Sequence, residues 1–251
     1  MLFKQSISWW CFADLLSPSE LIRTAVEVGY EGFDLAPPEQ WPAIRDAGLE
    51  IVAVNGHASI EEGLNKADNH DRIEREIVNK LTLASRHGAH HLICFSGNRH
   101  GAGDDEGLDV CAAGLQRVAK AAEQAKITLV VELLNSRVDH PNYQCDHTAW
   151  GVELVTRINS PRVKLLYDIY HMQIMEGDLI RTIRDQHPHF AHYHTAGNPG
   201  RNELNDAQEI HYPAVMHAIS ETGYEGFVGQ EFTPLGDPVA SLREARERCR
   251  V

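Results

Sequence analysis

The chain has 251 residues, 43% of them hydrophobic and 24% charged, enough apolar material for one large core or two small ones. Thirty-six acidic against 23 basic residues leave a formal net charge of -13. That argues against a nucleic-acid backbone or an anionic membrane surface as partner, because both are bound through clustered Lys and Arg.

The first strand is expected at Ser6–Phe12, after a stretch, Met1 to Asp14, with neither a signal-peptide nor a membrane-spanning pattern. A helix follows from Pro18, with proline in its first turn. Gly32–Ala36 is the second expected strand, Pro37–Asp46 a stunted second helix, and Ile51–Asn55 the third strand. Asn69–Arg86 and Leu108–Ala125 carry apolar residues at three- and four-residue spacing and read as helices on either side of a strand at His90–Ser96. Further strands are expected at Thr128–Leu134, Val163–Asp168, Phe190–Thr195 and Gly226–Phe232, and Ser241–Arg250 closes the chain as a helix.

Helix-ending glycines punctuate this order. Val28-Gly29-Tyr30-Glu31-Gly32-Phe33 is nearly copied at Thr222-Gly223-Tyr224-Glu225-Gly226-Phe227, with looser versions at Gly48 and Gly88. A glycine in that place supplies the left-handed residue that ends a helix. Eight strand–helix alternations in this length predict an α/β fold, a single (β/α)8 TIM barrel occupying residues 1–251 as one domain, with no linker between parts.

In such a barrel the carboxyl ends of the strands carry chemistry. The fifth strand offers Glu132 and then Asn135; the sixth, Asp168 followed by His171; the seventh, His192 and His194; the eighth, Glu231. A carboxylate within an apolar strand is costly unless it is paired or bound to a metal. One divalent cation held by Glu132, Asp168, His194 and Glu231 accounts for all four, and this donor set suits Mn²⁺, Mg²⁺ or Co²⁺ better than a structural zinc site. The alternative is a buried network of ion pairs with strand-end arginines. Of the two strand-seven histidines, alternation puts both on one side, and His194 lies nearer the carboxyl end; His192 is expected one layer deeper. Fifteen histidines in the chain add weight to metal chemistry.

Arg201 is placed to clamp a substrate carboxylate, for which a planar two-pronged donor is shaped. His171, Asn135 and His57, the last near the end of the third strand, complete the candidate substrate contacts. Trp9, Trp10 and Phe12 are candidate pocket walls, and Gly97–Gly103 a candidate flexible lid. Five scattered cysteines without a Cys-x-x-Cys fit a reducing, cytoplasmic setting.

Four segments carry a resemblance: Tyr167-Asp-Ile-Tyr-His-Met-Gln with Met175-Glu-Gly-Asp-Leu, Asn198-Pro-Gly-Arg201, Glu209-Ile-His-Tyr212, and Gly223-Tyr with Gly226-Phe and Gly229-Gln-Glu231-Phe. Together they resemble the hydroxypyruvate isomerase family of xylose-isomerase-like TIM barrels, over most of the chain and most densely in its C-terminal half. The resemblance implies that Glu132 and Glu231 are paired catalytic glutamates, with Asp168 and His194 completing the metal site. It implies an aldose–ketose-type isomerase converting hydroxypyruvate to tartronate semialdehyde, or isomerising a close 2-oxo acid, through an enediolate.

Some family members have glutamine where His194 stands, and histidine there resembles the ketose 3-epimerases. Those epimerases, however, carry a further glutamate where this chain has Val138, and a shorter loop between the histidine and the arginine. Alternatives on the same barrel are a ketose 3-epimerase or an inosose-type dehydratase. A metal-dependent nuclease is disfavoured by the acidic balance, and a silent sugar-acid-binding protein by the presence of both glutamates. The expected partner is a small-molecule oxo acid or sugar. Monomer, dimer and other homo-oligomers are all compatible with the sequence.

Overall fold

The computed structural model describes residues 3–251. Eight strands close in sequence order into a barrel. They are β1 (Lys4–Ser8), β2 (Gly32–Asp34), β3 (Glu50–Asn55), β4 (His91–Cys94), β5 (Thr128–Glu132), β6 (Val163–Asp168), β7 (Phe190–Thr195) and β8 (Phe227–Gln230). Nine helices alternate with them among the described residues: α1 (Pro18–Val28), α2 (Trp41–Asp46), α3 (His70–His87), α4 (Asp104–Ala125), α5 (Thr148–Ile158), α6 (Ile169–Met175), α7 (Leu179–Gln186), α8 (Tyr212–Glu221) and α9 (Pro238–Arg248). None of them is long and apolar enough to cross a membrane.

Contacts divide the chain into two blocks, one holding Ala53–Gly177 with Pro188–Ala191, the other the remaining described residues. In the second of these, β1 pairs in parallel with β2, setting Ser8 opposite Asp34, and with β8, setting Ser6 opposite Gly229. β7 pairs with β8 so that His194 faces Gly229 from the other side. Helix α1 starts on a full capping box, Ser17 with Glu20, and ends on Gly29 at φ +95°. In the block beginning at Ala53, β3 through β6 form a continuous parallel ladder that puts Glu132 opposite Leu166. Its strands are buried on both faces, as parallel barrel strands are.

All eight expected strands are present; the sixth and seventh have the expected bounds and the other six have shifted ends. The first was expected at Ser6–Phe12; its ladder stops at Ser8, and Trp9–Cys11 turns as a 3₁₀ helix. There Trp9 packs edge-on against Phe33, and Phe12 against Phe232. The fifth and eighth strands end two residues short of expectation. Beyond them side chains take over the backbone groups: the Tyr143 hydroxyl donates to the Glu132 carbonyl at 3.0 Å. Helix α4 begins four residues before the expected Leu108, because Asp104, Asp105 and Glu106 complement the positive end of the helix without contributing to apolar periodicity.

The glycine-rich stretch at Gly97–Gly103, expected to be a flexible lid, is tied down. Asn98 N donates to Glu61 O and Arg99 N to Asn142 O, both at 2.8 Å, while the Arg99 guanidinium reaches Asp146 at 2.9 Å.

Candidate metal and proton-transfer site

Asp168 closes β6 and is also the N-cap of α6, its Oδ1 accepting from His171 N at 3.0 Å. This local job explains an acidic residue at a strand–helix junction. His171 is fully buried. The backbone N–H of Asn135 meets His171 Nδ1 at 3.2 Å. A backbone N–H can only donate, so Nδ1 holds a lone pair and the ring proton of the neutral imidazole sits on Nε2. That nitrogen lies 3.8 Å from Asp168 Oδ2. Asn135 further anchors the arrangement with its side-chain amide, 2.6 Å from His171 Nδ1 and 2.7 Å from Asp139.

His57 is held through both of its ring nitrogens. Its Nε2 accepts from Phe95 N at 2.9 Å and its Nδ1 donates to Ala58 O at 3.1 Å. Both ring nitrogens are engaged with backbone, and burial lowers the pKa of the ring below the usual histidine range. These two bonds hold the ring beside the end of β3.

Glu231 follows β8 directly and is almost wholly buried, yet four side chains converge on its carboxylate. Oε1 accepts from Trp10 Nε1 at 2.9 Å and from Ser8 Oγ at 3.3 Å. Oε2 lies 2.7 Å from Arg201 Nη2 and 3.0 Å from His194 Nδ1. Burial alone would raise its pKa; the charges of His194 and Arg201, with hydrogen bonds from His194 and Trp10, outweigh it and hold the group well below the carboxylate range.

Behind His194 stands the deeper histidine, where alternation placed it. His192 and His194 meet edge to face at 4.9 Å, and His192 Nε2 is 2.9 Å from Asp34 Oδ1. Asp34 also accepts from the Ser6 hydroxyl. Burial works to raise the Asp34 pKa, but the charge and hydrogen bond of His192 more than offset it, and the group stays ionised.

Asp34, Ser6 and Ser8 were not singled out in the sequence, and Trp10 was singled out only as a pocket wall, not as a donor to Glu231. Asp34 was detectable by the criterion that found Glu132, a carboxylate within an apolar strand. Ser6 and Ser8 alternate on one face of β1.

Glu132, Asp168, His194 and Glu231 each offer a ligand atom, and these atoms all lie within 4.8 Å of one another. Three carboxylates so close and so little hydrated repel each other strongly, and a divalent cation relieves that repulsion. The donors are hard oxygens with one imidazole, and no thiolate joins them: the five cysteines are all reduced and buried. The residues therefore fit a hard or borderline divalent cation. Asp34, His192 and His194 form a second grouping that shares His194, and within it Asp34 and His192 are already paired.

Residues 22–250 match the family described as xylose isomerase-like TIM barrel. A Homo sapiens protein named putative hydroxypyruvate isomerase is 28% identical over 256 residues, covering 96% of this chain and 92% of its own length. A protein of Pectobacterium atrosepticum named 2-oxo-tetronate isomerase is 27% identical, covering 85% of this chain and 86% of its own. Among solved structures, an AP endonuclease, family 2, from Brucella melitensis superimposes with a TM-score of 0.84 at 27% identity, covering 96% of this chain and 97% of that one.

Proposed function

The chain belongs to the xylose isomerase-like TIM barrels and is an isomerase, and on that footing we propose that it interconverts hydroxypyruvate and tartronate semialdehyde with the help of a divalent cation, Mn²⁺, Mg²⁺ or Co²⁺. The observation that carries the proposal is the buried set Glu132, Asp168, His194 and Glu231, whose ligand atoms gather within 4.8 Å. A cation held there would supply positive charge where negative charge develops on the substrate oxygens.

The chain's own groups do the rest. One of Glu132 and Glu231 removes a proton from C3 of hydroxypyruvate, giving an enediolate, and the other glutamate returns a proton to C2. The hydroxyl proton passes from O3 to O2, so the atoms balance and no redox partner is needed. His171, with its proton on Nε2, orients an oxygen, and Asn135 fixes that ring in place. Arg201 receives the substrate carboxylate. Val138, at the position where the epimerases carry a further glutamate, is exposed and offers no acid or base. The name of the Pectobacterium relative favours a second substrate within the same class, a 2-oxo acid one carbon longer. We further propose that the chain works as one domain in the cytoplasm, a setting supported by five free buried cysteines.

The test is a metal-stripped and then metal-supplemented incubation with hydroxypyruvate in D₂O, followed by proton NMR of the methylene signal and of any aldehyde product. Metal-dependent aldehyde with deuterium at carbon is the expected result. Deuterium exchange without aldehyde would shift the assignment to the longer oxo acid. No exchange with metal bound would remove hydroxypyruvate and bring the epimerase and dehydratase readings forward.

A further inference from the structure

Arg201 has an unusual backbone. It adopts φ +57°, in the left-handed region that a residue with a side chain enters at a cost. The conformation is held from both sides, by Thr233 N donating to Arg201 O and by Gly197 N donating to Asn202 O, each at 2.8 Å. What this geometry achieves is to lay the guanidinium across Glu231, with Nη2 at 2.7 Å from Oε2, and over the ring of Trp10 at 5.4 Å. Trp10, 47% exposed, donates its indole N–H to the other oxygen at 2.9 Å. Two side chains from different loops, stacked on each other, thus cap both oxygens of the carboxylate proposed to move carbon-bound protons.

With Arg201 and His194 on Oε2 and Trp10 and Ser8 on Oε1, neither oxygen is open to a carbon-bound proton until one of these contacts is given up. A competing planar carboxylate matches the guanidinium fork and can draw it off. We infer that Trp10 and Arg201 form a latch on Glu231 that the carboxylate of the substrate itself releases, so that the site acts on hydroxy-oxo acids and leaves neutral hydroxy-carbonyl compounds of similar size largely untouched. The inference rests on the proposed role of Glu231 in proton transfer. Trp10 and Arg201 are then specificity-determining residues, the second by changing partners and the first by holding the closed arrangement through its ring and its N–H.

The substrate can be cut in two to test this. Glycolaldehyde keeps the reacting carbons of hydroxypyruvate without its carboxylate, and formate supplies the missing group separately. The measurement is deuterium incorporation into glycolaldehyde in D₂O by the Mg²⁺-loaded protein, as formate is titrated in. In the wild type we expect saturable activation, on the order of tenfold, since binding energy remote from the reacting carbon is what opens the latch. R201M should exchange glycolaldehyde somewhat faster than wild type without formate and should ignore formate. W10F, which keeps the guanidinium, should raise the unactivated rate and retain the response.

The latch is overturned by a wild-type rate indifferent to formate, or by equal activation in R201M. An unchanged unactivated rate in W10F removes Trp10 from it. Hydroxypyruvate is run alongside. Its turnover together with formate-indifferent glycolaldehyde exchange defeats the latch alone, whereas formate-activated exchange with hydroxypyruvate left untouched defeats the proposed substrate alone.

Discussion

At position 229 a side chain has nowhere to go. A Cβ there would lie 2.5 Å from Asp34 Oδ2 and 2.9 Å from His194 Cδ2, both fixed by buried partners. G229A should therefore push His194 out of the ligand group and strain the Asp34–His192 pair, destabilising the fold by about 1–3 kcal/mol, the usual cost of overpacking. G103A is the control: nothing lies within 4 Å of its added methyl, and its backbone is extended. Thermal unfolding and metal content after dialysis would be read for both, and equal behaviour of the two variants would defeat the argument. The same crowding explains which residues the sequence revealed. Glu132, Asp168, His194 and Glu231 stand out because charge within apolar strands demands a partner. Asp34, inside the expected strand Gly32–Ala36, met the same criterion but was passed over, since its partners His192 and Ser6 come from other strands and leave no local sign. Trp10 was legible as a pocket wall, but its bond to Glu231 was masked by an apolar run that continues past the end of β1, and the commitment of both His57 nitrogens to backbone leaves no trace in sequence.

Between elements, one carboxylate organises the chain after β8. Glu203, in the loop that follows β7, accepts from Leu235 N at 2.7 Å, Gly236 N at 3.0 Å and Ser241 Oγ at 3.1 Å, just ahead of and inside α9, which Asp237 caps. Burial pushes its pKa up, but the hydrogen bonds from Gly236, Leu235 and Ser241 pull harder, and the folded value lies below the ordinary one. A depressed carboxyl contributes stability above its unfolded pKa of about 4.3 and loses that contribution as pH falls through the folded value. E203Q keeps the shape and loses the charge. It should cost about 1 kcal/mol at neutral pH, reduced by the partial exposure of the site, and the difference from wild type should shrink as acid protonates Glu203. Urea unfolding on both sides of that window checks it; a difference that persists undiminished in acid would show that the charge is not what matters. This contact spans more than thirty positions and is invisible to local patterns, whereas the helix stops were legible. Gly29, Gly48, Gly88 and Gly223 all take the left-handed conformation expected of them. Strand ends were legible only to within a few residues, because pairing stops where a side chain such as Tyr143 claims the next carbonyl, and periodicity carries no record of that.

At the scale of the whole molecule, β5, β6, β7 and β8 each bring one donor to the candidate cation group, so binding and folding should be linked. A ligand that binds only the folded chain stabilises it by an amount that grows with concentration, about 2.7 kcal/mol at a hundredfold excess over Kd. Asp168 lets that linkage be isolated. It is at once a donor and the N-cap of α6, and asparagine caps a helix about as well as aspartate does. D168N therefore leaves the cap and the volume in place while removing one negative charge from three crowded carboxylates. Without metal the variant should be at least as stable as wild type, because the repulsion among the remaining groups falls. With Mn²⁺ the order should reverse: the wild type gains with rising concentration, and D168N gains little. Thermal unfolding across a Mn²⁺ titration separates the outcomes. Parallel increases in the two proteins would mean that the cation binds elsewhere. A D168N chain weakened equally with and without metal would mean that Asp168 serves the helix alone.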